Sequence, residues 1–351
     1  MAIMTFAKAI NGALTEAMTL DPDVICYGLG VPDPKGVFGT TTGLQEKFGD
    51  DRVFDMPTSE NAMTGIGVGA SLYGLRPVIT HQRLDFALLS MDQLVNNAAK
   101  WRFMFGGQRG VSLTVRMILG RGWGQGPTHS QNLQAWFAHV PGLKVVMPAT
   151  AEDAKGLLLS SIFDPDPVVF LEHRWLHNLR GEVPDGDYRI PLGKSELLRE
   201  GDDITVVAMS YMTVEALHAV DHLTEKGINC DLIDLRCVRP LDWKAIEASV
   251  NRTGRLLVLD TGNLTGSISG EIVACVATNC WESLKCAPQR LAMPDYPEAT
   301  SPALTEGYHI RAEHIVEKVG KMLGSKIESS SLAKKRQHPH DVPGDWFTGP
   351  F

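Results

Sequence analysis

Three short segments carry residue types that could do chemistry. In VFDMPTSENAMTG, Glu60 follows a proline and two hydroxyl residues and opens a helical stretch. A carboxylate is favoured at a helix N-terminus in its own right, with Thr58 or Ser59 as cap, so a structural and a proton-transfer role both fit. In HQRLDFALLSMDQ, Asp85 and Phe86 follow a β-branched run and suit either a hydrophobic helix entry or a binding position. The third segment is GRGWGQGPTHSQNLQAWFAHVPGL (120–143). Its glycines give a pliable loop that ends in a polar cluster, Thr128-His129-Ser130-Gln131. Parallel sheets bind ligands at such loops, beyond the carboxyl ends of their strands, and this favours function over plain surface. His139, beside Trp136 and Phe137, is expected to be a packed core histidine. Gly65, Gly67 and Gly69 are expected to let a helix pack closely rather than to cradle phosphate. The chain holds no GxxxxGK[ST], GxSxG or HExxH, and no GxGxxG follows its first strand.

The elements that must position these residues alternate along the chain. Strands are predicted at 23–28, 76–81, 111–117, 143–148 and 167–172, with helices near 4–19, 60–73, 87–104, 131–138 and 151–163. The strands are continuously apolar rather than alternating, as in a parallel sheet covered on both faces. A second run follows, with strands at 203–209, 229–236, 255–260 and 289–294 and helices at 212–226, 241–252, 268–282 and 312–324. The expected fold is therefore α/β, with two three-layer α/β/α domains. Residues 1–172 form the first and 203–325 the second. Residues 173–202, rich in charge, Pro and Gly, read as a linker hugging the surface. The tail 326–351 is too polar to build a core, so it is either disordered or docks Trp346, Phe347 and Phe351 on a partner.

Composition narrows the function classes. A chain of 351 residues suits two domains, and 41 acidic against 33 basic residues leave a net charge of −8. Such a field repels nucleic acid and anionic lipid. No apolar run reaches the roughly 18 to 20 residues of a membrane span. Six cysteines lie scattered without metal spacing, which suits reduced thiols, and the first twenty residues lack a basic leader. Both point to the cytoplasm.

The segments GLQEKFGDDRVFDMPTSENAMTGIGVGASLYGLRPV, MDQLVNNAAKWRFMFGGQ, HSQNLQAWFAHVPGLKVVMPATAEDAKGLLLSSIFDPDPVVFLE and ITVVAMSYMTVEAL…CDLIDLRCVRPLD occur in order. Together they resemble the β-subunit of the 2-oxo acid dehydrogenase decarboxylating component, the family of the pyruvate, branched-chain and acetoin enzymes. The resemblance runs from about residue 4 to 324. It implies a thiamine diphosphate-binding (pyrimidine) domain followed by a transketolase C-terminal-like domain. Glu60 falls at the family's cofactor-activating glutamate, which shares a proton with a ring nitrogen of the aminopyrimidine. Phe86 matches the aromatic residue against that ring, Gln82 a neighbouring pocket position, and His129 the active-site histidine of the HSQ segment. The main-chain carbonyls around Ser161, Ile162 and Asp164, with Asp166, resemble a monovalent-cation (K+) site of some relatives.

Thiamine enzymes hold the diphosphate and its Mg2+ with a GDG followed by Asn, and this chain has no GDG. The resemblance thus implies an α-subunit carrying that motif, an α2β2 heterotetramer, and a lipoyl acyltransferase core as acyl acceptor. The implied function is oxidative decarboxylation with acyl transfer to lipoamide. The alternative is a carboligase or transketolase-like subunit that uses an aldehyde or sugar-like acceptor. A non-catalytic scaffold would lack Glu60 or His129, and both are present. The chain departs from the family in having Gly28-Leu29-Gly30-Val31 where relatives carry an acidic pair. His81, Arg83 and Trp123 add polar or bulky groups near the expected substrate mouth and point to a polar substrate.

Overall fold

In a computed structural model, residues 1–122 and 124–348 are described. In chain order the strands are β1 (Ala2–Thr5), β2 (Val24–Gly28), β3 (Val53–Asp55), β4 (Arg76–His81), β5 (Thr114–Leu119), β6 (Lys144–Val146), β7 (Val168–His173) and β8 (Arg180–Val183). There follow β9 (Glu196–Arg199), β10 (Ile204–Ala208), β11 (Cys230–Asp234), β12 (Cys237–Arg239), β13 (Leu256–Asn263) and β14 (Gln289–Met293). Every residue of β2, β5 and β7 is buried, as continuous apolar strands between two helical layers require.

The first sheet has the order β12-β6-β7-β5-β4-β2-β3 and is parallel except for β12. The second has the order β14-β13-β10-β11-β9, with β9 antiparallel at its edge. Because β12 comes from the second half of the chain and pairs with β6 of the first, the halves share a sheet edge. The helix Phe6–Leu20 opens with Thr5 accepting from the Lys8 amide, and it packs against the helix Ala151–Ile162.

Several expectations are corrected. The start of the predicted first helix is strand β1, which pairs antiparallel with β8 from the segment read as a linker. That segment does not hug the surface, because Trp175, Leu176 and His177 are almost fully buried. Its apolar content, hidden among charges in the sequence, makes it a core segment between the halves. The predicted helix 87–104 is broken into Leu84–Ala87, a 3-10 turn Leu88–Ser90, a π-helical stretch Gln93–Ala98 and Ala99–Met104. The tail is ordered through its described residues. It folds back on its own chain, burying Val342 and Phe347, with the Trp346 indole N–H donating to the Trp175 carbonyl at 2.9 Å. Phe351 lies outside the described residues.

Two charges interrupt the apolar strands. The Arg116 guanidinium meets Glu172 through Nε to Oε1 (2.6 Å) and Nη2 to Oε2 (3.0 Å), both side chains being at most 1% exposed. Nη1 of Arg116 also donates to Thr80 on β4 (3.3 Å), and His177 Nε2 lies 3.4 Å from Glu172 Oε2. The pair joins β5 to its neighbour β7 inside the core.

Candidate active site

Glu60 follows β3, Gln82 follows β4 and His129 follows β5, so the three candidates leave the carboxyl ends of strands in one parallel sheet. Ligands of open α/β sheets bind at this edge. Glu60 is the first residue of the helix Glu60–Leu72, with Ser59 as a cap whose side chain makes no hydrogen bond. It is only 7% exposed, and among the described residues nothing hydrogen-bonds its carboxyl. Most of the side chain is packed away, while the unpartnered carboxyl oxygens stay open to a ligand. The helix sits close to the sheet because Gly67 has no side chain. A Cβ there would come within 2.7 Å of the Tyr27 hydroxyl and 2.8 Å of Ile79 Cδ1, as expected of a packing glycine.

The β4 and β5 loops lock together. Phe86 sets its ring at 90° to His129, with centroids 5.3 Å apart. Beneath them Gln131 Nε2 donates to Asp85 Oδ1 at 2.8 Å. Burial raises the Asp85 carboxyl above the usual range, the Gln131 hydrogen bond opposing, and its Oδ2 is buried without a partner. His129 is half-buried, and its Nδ1 shares a 3.1 Å hydrogen bond with the Thr128 hydroxyl. Gln82 is exposed at the end of β4, beside Gly30. At that glycine φ is +73°, and a Cβ would lie 2.6 Å from Gln82 Nε2. The positive φ favours glycine at Gly30, whereas the exposed Gln82 side chain could swing aside from a Cβ.

The glycine-rich loop is held from behind. The Gly120 amide donates to the Gln131 carbonyl (3.4 Å), closing the loop base. Arg121 is buried against Glu298 Oε1 (2.8 Å) and Asp341 Oδ2 (2.9 Å). Arg83 donates through Nη1 to the Gly120 carbonyl (3.1 Å) and through Nη2 to Gln125 Oε1. Gln134, after the loop, reaches the second domain by donating to Asp260 Oδ1 at 2.6 Å.

Further expectations shift here. His81 and Arg83 do not stand at an open mouth. They are 1% and 3% exposed, and Arg83 is spent on holding the loop. Trp123 lies outside the described residues. His139 is exposed rather than packed, because the helix Gln134–Ala138 ends just before it. With Trp136 and Trp243 it lines a cleft of about 1000 Å³ between the two halves. Ser161, Ile162, Asp164 and Asp166 precede β7 at the amino edge of the sheet, opposite to Glu60 and His129. Asp164 accepts from Lys144 Nζ at 2.6 Å, its main-chain oxygen accepts from Ser112 (2.7 Å), and Asp166 pairs with Arg102. The two carboxylates thus already have cationic partners.

His81 gives a direct test of burial. Both its ring nitrogens lack partners, and burial alone lowers its pKa to about 4. The unfolded ring titrates near 6.5, so the neutral folded ring makes stability fall as pH drops from ~6.5 towards 4. A His81→Leu variant lacks this term. Across that range, denaturant unfolding should show its stability gaining on the parent by about 1.4 kcal/mol per pH unit. A pH-independent difference would refute the buried neutral state.

Comparison with known proteins identifies the two halves of the chain. Residues 2–178 match the family described as transketolase, pyrimidine binding domain, and residues 193–315 match transketolase, C-terminal domain. The pyruvate dehydrogenase E1 component subunit beta-1, mitochondrial, of Oryza sativa is 42% identical over 298 residues, covering 84% of this chain and 80% of its own length. The 2-oxoisovalerate dehydrogenase subunit beta of Bacillus subtilis is 41% identical, covering 85% of this chain and 91% of its own. This chain belongs to the 2-oxo acid dehydrogenase E1 β-subunit family.

An acetoin:2,6-dichlorophenolindophenol oxidoreductase subunit beta of Bacillus subtilis is 38% identical over 334 residues, covering 92% of this chain and 98% of its own. For the fold alone, a split-gene transketolase in an inactive β4 tetramer superposes with a TM-score of 0.75 at 21% identity, covering 92% of this chain and 99% of the other. The stretch that matches the pyrimidine binding domain holds the candidates Glu60, Gln82, Phe86 and His129, and Glu298 and Thr300 of the second stretch contact the loop. The residues that sequence reasoning missed are those that hold the loop, namely Arg121, Glu298, Asp341 and the Gln134–Asp260 pair. A signal existed only for Arg116 and Glu172, as charges inside apolar strand runs. Nothing local in the sequence links Arg121 to a carboxylate 220 residues away.

Proposed function

We propose that this chain is the β half of a thiamine diphosphate-dependent 2-oxo acid dehydrogenase, active only with an α-subunit. The observation that carries this reading is the largely buried Glu60 side chain at a helix start, its carboxyl without a partner of its own, at the sheet edge that bears Phe86 and His129. A protonatable group held this way fits the ring nitrogen of an aminopyrimidine, and the partly exposed Phe86 ring fits its face. When bound, the cofactor supplies a nucleophilic carbon and an electron sink for decarboxylation. Glu60 holds and returns a proton at the pyrimidine end. His129, half-buried and steadied by Thr128 and the Phe86 ring, is available to move a proton at the substrate end.

No GDG segment for the diphosphate end occurs in this sequence. Among the described residues, no group of three His, Cys, Asp or Glu side chains could hold a metal ion. In our reading an α-subunit grips Mg2+ and the diphosphate with its GDG…N motif, in an α2β2 assembly. Exposed Ile66, Leu89, Phe103, Met104 and Phe105 support such an interface, being apolar groups on and beside the helices of this domain. We assign acyl transfer to lipoamide on an acyltransferase core, because Arg83 is engaged by the loop rather than free for a sugar-like acceptor. The carbonyls at Ser161, Ile162 and Asp164, with Asp166, are our candidate for a K+ site, the Asp164 carbonyl already accepting from Ser112. The six free thiols suit a reducing cytoplasm. Among the described residues, no helix is long and apolar enough to cross a membrane.

Calorimetry with thiamine diphosphate and Mg2+ tests the half-site. The isolated chain should bind at least ~100-fold more weakly than the purified α–β complex, which equals about 2.7 kcal/mol. Tight stoichiometric binding to the chain alone would overturn the reading. Product formed only with an aldehyde acceptor, and not with lipoamide, would overturn the acceptor assignment.

A further inference from the structure

The tail beyond residue 325 lies outside both family matches, which end at residue 315. Yet its last described stretch is woven into the molecule beside the active-site loop. Arg311, 2% exposed, donates through Nη2 to the carbonyls of His340 (2.7 Å) and Val342 (3.0 Å), while its Nη1 is held by Tyr211 and Glu215. His340 Nε2 lies 2.8 Å from the Pro302 carbonyl and 3.1 Å from the Thr305 hydroxyl. Trp346 caps the Trp175 carbonyl, and Phe347 stacks under Arg174, with 5.3 Å between the guanidinium carbon and the ring centroid. The His340 contacts set the tail against Pro302 and Thr305 of the second domain, and the others tie it to Arg311, Trp175 and Arg174.

Residues 298–305 of that domain form the wall on which the glycine-rich loop rests. Arg121 donates to the carbonyls of Ala299 (2.8 Å) and Thr300 (3.4 Å), and a Cβ on Gly126 would come within 2.4 Å of Thr300 Oγ1. Arg121 itself is clamped between Glu298 of that wall and Asp341 of the tail. With two carboxylates and two carbonyls gathered on one buried guanidinium fork, removing a carboxylate leaves a buried charge undercompensated and the loop base free to shift. Glycines at 122, 124 and 126 supply no stiffness of their own between Arg121 and His129.

We propose that residues 338–347 form an intramolecular strap that positions the His129 loop, with the Asp341 carboxylate acting through Arg121. Asp341 is a positioning residue, since it acts on the loop base and touches neither His129 nor Glu60. The effect on turnover rests on the reading of His129 given above, whereas the effect on loop order does not.

Hydrogen–deuterium exchange on the full-length chain in its complex separates the two. In Asp341→Asn, amides in 121–131 should exchange at least about tenfold faster, with the sheet strands unchanged. Asp341→Glu should restore most of the protection, and Asp202→Asn, which alters an exposed charge outside the strap, should leave it unaltered. Arg121→Lys should loosen the loop similarly, and the double variant should be no worse than either single one, because both act through one contact. In kinetics, kcat of Asp341→Asn should fall about tenfold with KM little changed. The proposal fails if the loop exchanges at the parent rate, if protection is lost evenly over both domains, or if the two substitutions add independently. It fails too if the loop loosens while kcat holds in an enzyme that needs His129. If His129 proves dispensable, the exchange data still decide the strap and the proposed function alone is lost.

Discussion

Replacing Glu60 with Gln should lower kcat of the assembled enzyme by about 10²- to 10⁴-fold, the usual worth of a positioned proton-transfer group. That is about 3–5 kcal/mol of barrier. The substitution keeps the size of the side chain and its ability to hydrogen-bond, and it removes the exchangeable proton. Glu60 has no partner among the described residues, so its loss breaks no internal pair and the melting temperature should hardly move. Glu60→Asp should also be poor, because the carboxyl then stops one methylene short of a ring it must reach from a fixed helix start. Steady-state kinetics on the co-purified complex, with thermal unfolding alongside, read both effects. Turnover at the parent level in Glu60→Gln would take the residue out of the mechanism, and lost turnover with a lost fold would make it a structural carboxylate.

Why Glu60 is legible in the sequence while its supports are not follows from how the two kinds of information are stored. Its segment combines a strand end, a proline, hydroxyl caps and a carboxylate within a few residues, and these local signals specify a strand-to-helix turn with the side chain at the helix mouth. The parallel strands are legible for the same reason, since β2, β5 and β7 are dominated by apolar runs. Short edge strands are not. β1 and β8 are four residues each, partly exposed, and become strands only because they find each other across the chain. β12 reads as part of a strand-to-helix loop, yet it pairs with a sheet that by sequence belongs to the other domain. Trp175 hides in a charged stretch, and only folding shows that Arg311, His309 and the tail surround it. His139 fails in the opposite direction, because apolar neighbours in sequence do not dictate which way a short helix ends. The candidate site residues are thus written locally, whereas the loop's hold through Arg121 depends on contacts across 177 and 220 residues of chain.

Glu172→Gln should destabilise the chain by about 3–5 kcal/mol in denaturant unfolding, because it leaves the Arg116 guanidinium buried without its carboxylate. Burial alone would push the Glu172 carboxyl up, but Arg116, with His177 assisting, outweighs this and holds it below the usual range. A carboxylate depressed in the fold adds stability that is full above the unfolded value near 4.3 and fades as pH falls through the folded one. The penalty of the Glu172→Gln change should therefore be constant from about pH 6 to 8 and shrink only in strong acid. Replacing both members together, Arg116→Met with Glu172→Leu, should recover most of the loss, since no charge is then left stranded. If the single variant cost less than ~1 kcal/mol, water or a shifted His177 would be compensating Arg116. If the double variant kept the stability but lost activity, the pair would be serving geometry. Its fork spans Thr80 on β4, Arg116 on β5 and Glu172 on β7, with Thr80 one residue before His81 and Arg116 a few before Gly120. That places it close to the strand ends from which Gln82, Phe86 and His129 depart, so a slack pair would be felt first at the candidate site.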